Sequence, residues 1–337
     1  MIMKLLGICS ALLLTGATSG FKFMADKNDQ RSLLPDPQSP MLEMDQNGAD
    51  DYFRRQLLVA DGPTYNAARL LQYVRENTDK ADDAEGLILD FMNKNPLDLS
   101  HLGPELLKLA IEKKYETMII HLLKDPDYQF DFNFKINSLQ KVRQVKSLDH
   151  SSQGHDVYSS QTEVIAVTPL MFTVLNGIES AAIALADHED VAIDFKDAHG
   201  RDVYIYAAQR KMDRLLSFLI KNYDYDFTVT FNGSNAFMIA IKMGLHCAEH
   251  MLPHVKNLGQ TRNLDGKNAL MLAIVYHPKL APLILDLYPN AQPVNSATTY
   301  LLDLHVVDTD GNSALDLARK HQQFDLAIKI QHKLVNS

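Results

Sequence analysis

Gly200, Gly233 and Gly266 stand 33 residues apart, and one short pattern follows each of them. Two positions on comes Asp202, Asn235 or Asn268, and then an apolar run at 203–208, 236–241 or 269–274. A fixed period of this length is the mark of a solenoid, in which each unit is one supersecondary element stacked on the next. The chemistry of each position agrees. Glycine supplies the positive φ of a tight turn without steric cost. Thr168, Asp202, Asn235, Asn268 and Ser313 each carry a short oxygen-bearing side chain that can accept from an orphan amide at a helix start. Pro169 suits a first helical position, where its missing N–H costs nothing. Ala207, Ala240, Ala273 and Ala318 let one helix lie close to its neighbour, with Thr173 the larger exception.

A second helix is predicted in each unit, at 178–186, 212–221, 246–255 and 324–334. Leu215, Leu216, Leu219 and Ile220 form its clearest stripe. Two short helices cannot bury their faces alone, so the units must stack into one continuous core. Between Asn268 and Ser313 the spacing is 45, an excess of 12 that predicts an insertion near 288–309. Between Glu105 and Thr168 it is 63, an excess of 30 that predicts a polar insertion near 135–163. That insertion reads either as a surface loop or hairpin, or as a partner-specific arm.

The repeats resemble the ankyrin family, whose unit is a tight turn followed by Thr-Pro-Leu-His and a small residue. Thr168-Pro169-Leu170-Met171 keeps three of those four letters. The unit at Gly311 and a weaker one at Gly103 extend the resemblance over about residues 104–334. It implies an all-α fold: an ankyrin-repeat solenoid of stacked helix pairs with short β-like finger turns. The fourth-position histidine is replaced by Met171, Ile205, Met238, Met271 and Asp316, so apolar packing must do the work of its hydrogen bonds.

The domain reading is a signal peptide at 1–20, a flexible tether at 21–51, a helical N-terminal cap at 52–101 and the solenoid at 102–337. Lys4 followed by the apolar run 5–14 and then by Gly16, Ala17, Ser19 and Gly20 reads as a secretory signal. Its apolar core is shorter than the roughly 20 residues a spanning helix needs. Pro35, Pro37 and Pro40 mark the tether, and helices at 63–76 and 82–93 form the cap. Removing the signal leaves Cys247 as the single cysteine, so no internal disulfide is expected and its helical position predicts a buried thiol.

A net charge of −9 with scattered Lys and Arg gives no support to nucleic-acid or membrane-surface binding. The sequence offers no nucleophile elbow, phosphate loop or dinucleotide fingerprint, and no cofactor is expected. One run, His246-Cys247-Ala248-Glu249-His250, has the letters of an inverted zinc-protease motif, with His254 a turn further on. Against it stand Pro253 and the repeat register, which makes this stretch an ordinary second helix with surface histidines.

The expected activity is therefore binding. The resemblance implies that a protein partner meets the finger turns and the inner face of the first helices. Carried over by register, those positions are His199, Arg201, Gln209, Arg210, Phe231, Asn232, Lys242, Met243, Leu264, Lys267 and Tyr276. Phe231, Met243, Leu264 and Tyr276 are apolar where a solvated face favours polar groups, which reads as a protein-binding hot spot. The reading is a monomeric exported interaction module, periplasmic or secreted, with a host-directed effector among its possibilities. A metal-dependent hydrolase at His246, Glu249 and His250 is the alternative.

Overall fold

In the computed structural model the chain divides into two compact units, Met1–Asp50 and Asp51–Ser337. The structure describes residues 62–76, 84–145, 158–255, 261–287 and 303–335, all in the second unit. The expected signal peptide, the tether and most of the 288–309 insertion lie outside them.

Fourteen α-helices form seven successive pairs among the described residues. They are α1 Pro63–Glu76 with α2 Ala84–Lys94, α3 Gly103–Lys113 with α4 Glu116–Lys124, and α5 Pro169–Asn176 with α6 Glu179–Asp187. Then come α7 Val203–Gln209 with α8 Asp213–Asn222, and α9 Ala236–Met243 with α10 Cys247–Met251. The last two are α11 Ala269–Tyr276 with α12 Leu280–Leu287, and α13 Ala314–Lys320 with α14 Phe324–Val335. The first members pack in one row, α1 on α3, α3 on α5, and so on to α13. The second members form the other row, α2 on α4 through to α10, and α12 on α14. Helices α1 and α2, read from sequence as a cap, continue these same two rows.

The central first-row helices, α7, α9 and α11, are buried on every side. Residues 203–208, 236–241 and 269–274 contain no exposed side chain, which is why these helices are apolar all round and not striped. Ala207, Ala240, Ala273 and Ala318 sit at the contacts between neighbours, all fully buried. Second-row helices are half-buried and amphipathic. In α8, Leu215, Leu216, Leu219 and Ile220 face the core.

The five expected N-caps all form. Thr168 Oγ1 accepts from Met171 N at 3.3 Å, Asp202 Oδ1 from Ile205 N at 2.9 Å, and Asn235 Oδ1 from Met238 N at 2.9 Å. Asn268 Oδ1 accepts from Met271 N at 3.0 Å and Ser313 Oγ from Asp316 N at 3.2 Å, the last within a capping box. Helices α4, α6, α8 and α10 of the second row lack caps of their own and take partners from the preceding repeat. Glu85 Oε1 accepts from Met118 N at 2.9 Å, Glu179 Oε1 from Arg214 N at 2.9 Å, and Asp213 Oδ1 from Cys247 N at 2.8 Å. Glu116 likewise accepts from the Ser180 hydroxyl at the start of α6. A carboxylate at a helix N-terminus also meets the positive end of the dipole.

Two expectations are corrected. Gly103 is not a turn glycine: it opens α3, and a Cβ there would lie 2.3 Å from the Phe130 ring, so its role is to admit that ring. The stretch 246–255 is not one helix. α10 ends at Met251 and a 3₁₀ turn, Leu252–His254, follows, because Pro253 cannot continue the hydrogen-bond ladder.

The insertion between α4 and α5 is an antiparallel hairpin, β1 Ile136–Val145 and β2 Tyr158–Val167, with Ile136 opposite Val167 and Val145 opposite Tyr158. Period-two alternation turns Ile136, Ser138, Ile165 and Val167 inward. On the other face Leu139 and Val164 are directly paired and exposed.

Candidate functional site

The finger turns precede the first-row helices. Three share one construction. Asp197, Asn263 and Asp308 each accept, through Oδ1, from the amides two and four residues on, at 2.8–3.1 Å. The backbone closes behind them, with Asp197 N to Arg201 O at 2.9 Å, Asn263 N to Lys267 O at 3.0 Å and Asp308 N to Asn312 O at 3.0 Å. The remaining finger is a two-residue hairpin, Phe231-Asn232-Gly233-Ser234, with φ of 52° at Asn232 and 72° at Gly233. Positive φ at both central residues is the type I′ signature that matches strand twist, and Asn-Gly is its preferred pair. A Cβ on Gly233 would meet Arg262 O at 2.2 Å, so successive fingers touch here backbone to backbone.

Several predicted contact residues turn out to build these fingers. Arg201 is only 3% exposed, and its Nε donates to Asp197 Oδ2 at 2.7 Å. Its guanidinium lies 4.6 Å from the centre of the Tyr206 ring and 5.0 Å from that of Phe231. Arg201 is therefore drawn off the surface into a buried ion pair, while Phe231 covers it and stays half-buried. Burial alone would raise the Asp197 carboxyl. The Tyr206 hydroxyl, the Arg201 amide and side-chain hydrogen bonds and the guanidinium charge outweigh it and hold the group below the usual carboxylate range. Lys267 is likewise drawn inward, its Nζ 2.9 Å from the buried Asp308 Oδ2 in the next finger. Burial would raise Asp308 too, but Lys267 and the Asn312 donors keep it low.

What remains on the surface divides in two. His199, Asn232 and Leu264 sit on the fingers, with Leu264 exposed and His199 Nε2 held 2.9 Å from Glu163 Oε2 of the hairpin. Gln209, Arg210, Lys242, Met243 and Tyr276 sit at the opposite, C-terminal ends of the first-row helices. About 12 Å of helix separates the groups, and that span is buried. The predicted patch is two edges and not one face.

The second edge shows something scattered in the sequence. Lys114, Arg210, Lys211, Lys242, Lys279 and Lys320 all follow or end first-row helices, all are exposed, and none is ion-paired among the described residues. Stacking places these helix ends side by side, about 8–10 Å per repeat. The nearby carboxylates Glu116, Glu179 and Asp213 are spent as caps along the stack. The edge is thus left cationic on a chain of net charge −9. Arg210, Lys242, Lys279 and Lys320 are 32, 37 and 41 residues apart, so no strict period marks the row, and only their place at the ends of the first-row helices aligns them. Met243 packs partly on the core, and Tyr276, 46% exposed, ends a first-row helix on this edge.

His246, just before the five-residue α10, and Glu249 and His250 on it are exposed, and Cys247 beside them is buried. Among the described residues no three metal-capable side chains come together. Burial, then the Asp213 carboxylate, pushes the Cys247 thiol up, which leaves it protonated and unreactive. Among the described residues no helix is long and apolar enough to cross a membrane.

Residues 204–295 match the family described as Ankyrin repeats (3 copies). No curated protein matches the chain. Solved structures similar to it include EF0377, an ankyrin repeat protein, at 19% identity and a TM-score of 0.43, covering 67% of this chain and 96% of that one. Another is the Bd0816 predatory endopeptidase from Bdellovibrio bacteriovorus in complex with immunity protein Bd3460. It matches at 23% identity and TM-score 0.37, over 50% and 81% of the two chains. The ankyrin repeat domain of Bcl-3, of the IkappaB family, matches at 16% and 0.37, over 49% and 69%.

Proposed function

The chain is an ankyrin repeat protein, and we propose that it is an exported module that binds an acidic protein partner along its cationic edge. The observation that carries this is the row Lys114, Arg210, Lys211, Lys242, Lys279 and Lys320, one or two unpaired cations on five of the repeats. Tyr276 is an exposed aromatic on the same edge as Arg210, and tyrosine and arginine are residue types enriched at interface hot spots. Aligned charge raises association rate and selects partners of opposite sign. Export rests on the 1–20 segment, with its single lysine, apolar core and small residues.

Affinity capture with the processed chain tests the reading. Partners captured by wild type should be acidic, elute with salt, and disappear with Arg210→Glu, Lys211→Glu and Lys242→Glu combined. They should persist with His246→Ala and His250→Ala. Capture untouched by charge reversal, or lost with the histidine pair, overturns it. N-terminal sequencing of exported protein should begin just after 17–20; recovery with residue 1 intact removes the signal-peptide reading.

A further inference from the structure

A cavity of about 510 Å³ opens at the N-terminal end of α7, between segments 191–196 and 223–229 that lead into two successive fingers. It lies apart from the cationic edge, at the other end of the first-row helices. Its back wall is aromatic. The Tyr204 and Tyr225 rings stack at 3.8 Å between centroids and 18° between planes. Tyr204, which lines this cavity, is 3% exposed, and among the described residues neither its hydroxyl nor that of Tyr225 has a hydrogen-bond partner. A buried hydroxyl left unpaired is costly, and a ligand donor would satisfy it. Burial pushes both phenols well above their usual range, so they stay neutral.

Four carboxylates, Asp194, Asp202, Asp224 and Asp226, and one cation, Lys196, complete the lining. Asp202 is committed to Ile205 N at 2.9 Å and Asp226 to Thr228 N at 2.9 Å. Asp194 and Asp224 are exposed and have no hydrogen bond or ion pair among the described residues. Lys196 forms no ion pair among them either, so it offsets one negative charge and leaves the site anionic. Val191, Ile193 and Val229 supply apolar wall.

We propose that this cavity binds an alkylammonium or guanidinium group carried on an aliphatic stem. The Tyr204 hydroxyl accepts from the cation, the tyrosine stack offers its ring faces, the valines and isoleucine cover the stem, and Asp194 and Asp224 balance the charge. The volume falls in the range of sites for small organic ligands. Lysine or arginine side chains of a partner and free diamines share this chemistry.

Saturation-transfer NMR on the whole chain tests it, with Nα-acetyl-lysine amide, Nα-acetyl-arginine amide and 1,5-diaminopentane as probes and Nα,Nε-diacetyl-lysine amide as the neutral control. Saturable binding of a cationic probe and none of the control is expected. Preference for a capped amino acid points to a partner side chain, and preference for the diamine to a free amine. Asp194→Asn with Asp224→Asn should weaken binding several-fold. Tyr204→Phe should weaken it about tenfold or more, the scale of a hydrogen bond to a charged group. Its urea midpoint should stay at or above that of wild type, because the lost hydroxyl had no partner. No cation binding, equal binding of the neutral control, or full binding by Tyr204→Phe overturns the proposal.

Discussion

Replacing Asp197 by alanine tests how the fingers are held. Its carboxylate accepts four hydrogen bonds: from His199 N at 2.9 Å, Arg201 N at 2.9 Å, Arg201 Nε at 2.7 Å and Tyr206 Oη at 2.7 Å. Removing it strands a guanidinium whose side chain is 4% exposed and whose Nη2 already lacks a partner. Breaking a buried pair from one side costs about 3–5 kcal/mol, because the remaining charge stays desolvated. Replacing both partners, Asp197→Ala with Arg201→Met, removes that stranded charge. Its cost should fall below that of the single variant, to about 3 kcal/mol, roughly one for each of the two finger amides and the Tyr206 hydroxyl that lose their acceptor. Urea denaturation followed by circular dichroism measures the global change. Hydrogen exchange at His199 and Arg201 measures the local one, which matters because repeat arrays open in parts. The sign of the pH dependence is set by the depressed carboxyl. The stabilisation is complete above roughly pH 4, the unfolded value, and is lost as pH falls through the lower folded one. The gap between wild type and Asp197→Asn should therefore narrow below about pH 4. A single variant within about 1 kcal/mol of wild type, or a double variant worse than the single, refutes the argument.

Asn235→Ala and Asn268→Ala should each cost about 0.5–2 kcal/mol in denaturation, because each cap satisfies a first-turn amide; unchanged midpoints for both would contradict the assigned register. Gly233→Ala should cost more than about 1 kcal/mol, since φ is positive there and the added methyl would press on Arg262 O; a neutral midpoint would mean that successive fingers do not touch. His246→Ala with His250→Ala should leave stability and partner capture unchanged, because both side chains are exposed; loss of capture, with metal recovered only from wild type, would favour the hydrolase alternative.

The helix starts were legible because a cap is a local matter. Asn235 and Asn268 reach an amide three residues on, so residue type and register suffice to place them. The second-row caps were not legible for the complementary reason. Glu179 and Asp213 serve helices one repeat away, 35 and 34 residues on, and nothing near either carboxylate in sequence reveals the donor. The hairpin was visible only as excess length. Its alternation of buried Ile136 and Ser138 with exposed Leu139 is diluted by Lys, Gln and Arg in the same strand.

Site residues failed in an instructive direction. Family register alone placed Arg201 and Lys267 at the surface, because a finger turn is normally solvated and a charge normally exposed. In this chain Asp197 and Asp308 invert that. A buried acid at the start of a finger needs a cation, and the finger itself delivers one, Arg201 within the turn and Lys267 from its neighbour. Such pairs are poor sources of stability but good specifiers of one arrangement. Here Asp197 with Arg201 fixes the shape of one finger, and Asp308 with Lys267 ties one finger to the next. The consequence for binding is a division of charge. The finger end draws Arg201 and Lys267 into ion pairs, whereas beside the opposite edge Glu116, Glu179 and Asp213 are taken up at helix starts and the lysines and arginine stay unpaired among the described residues. A chain with a net charge of −9 can thereby present a basic strip, which neither composition nor any run of adjacent residues announces. Partner selection should accordingly respond to charge reversal at Arg210, Lys211 and Lys242 and ignore Arg201, whose replacement should register only as lost stability. Partner affinity that falls with Arg201→Met while the finger amides keep their exchange protection would return that residue to the interface and break the division.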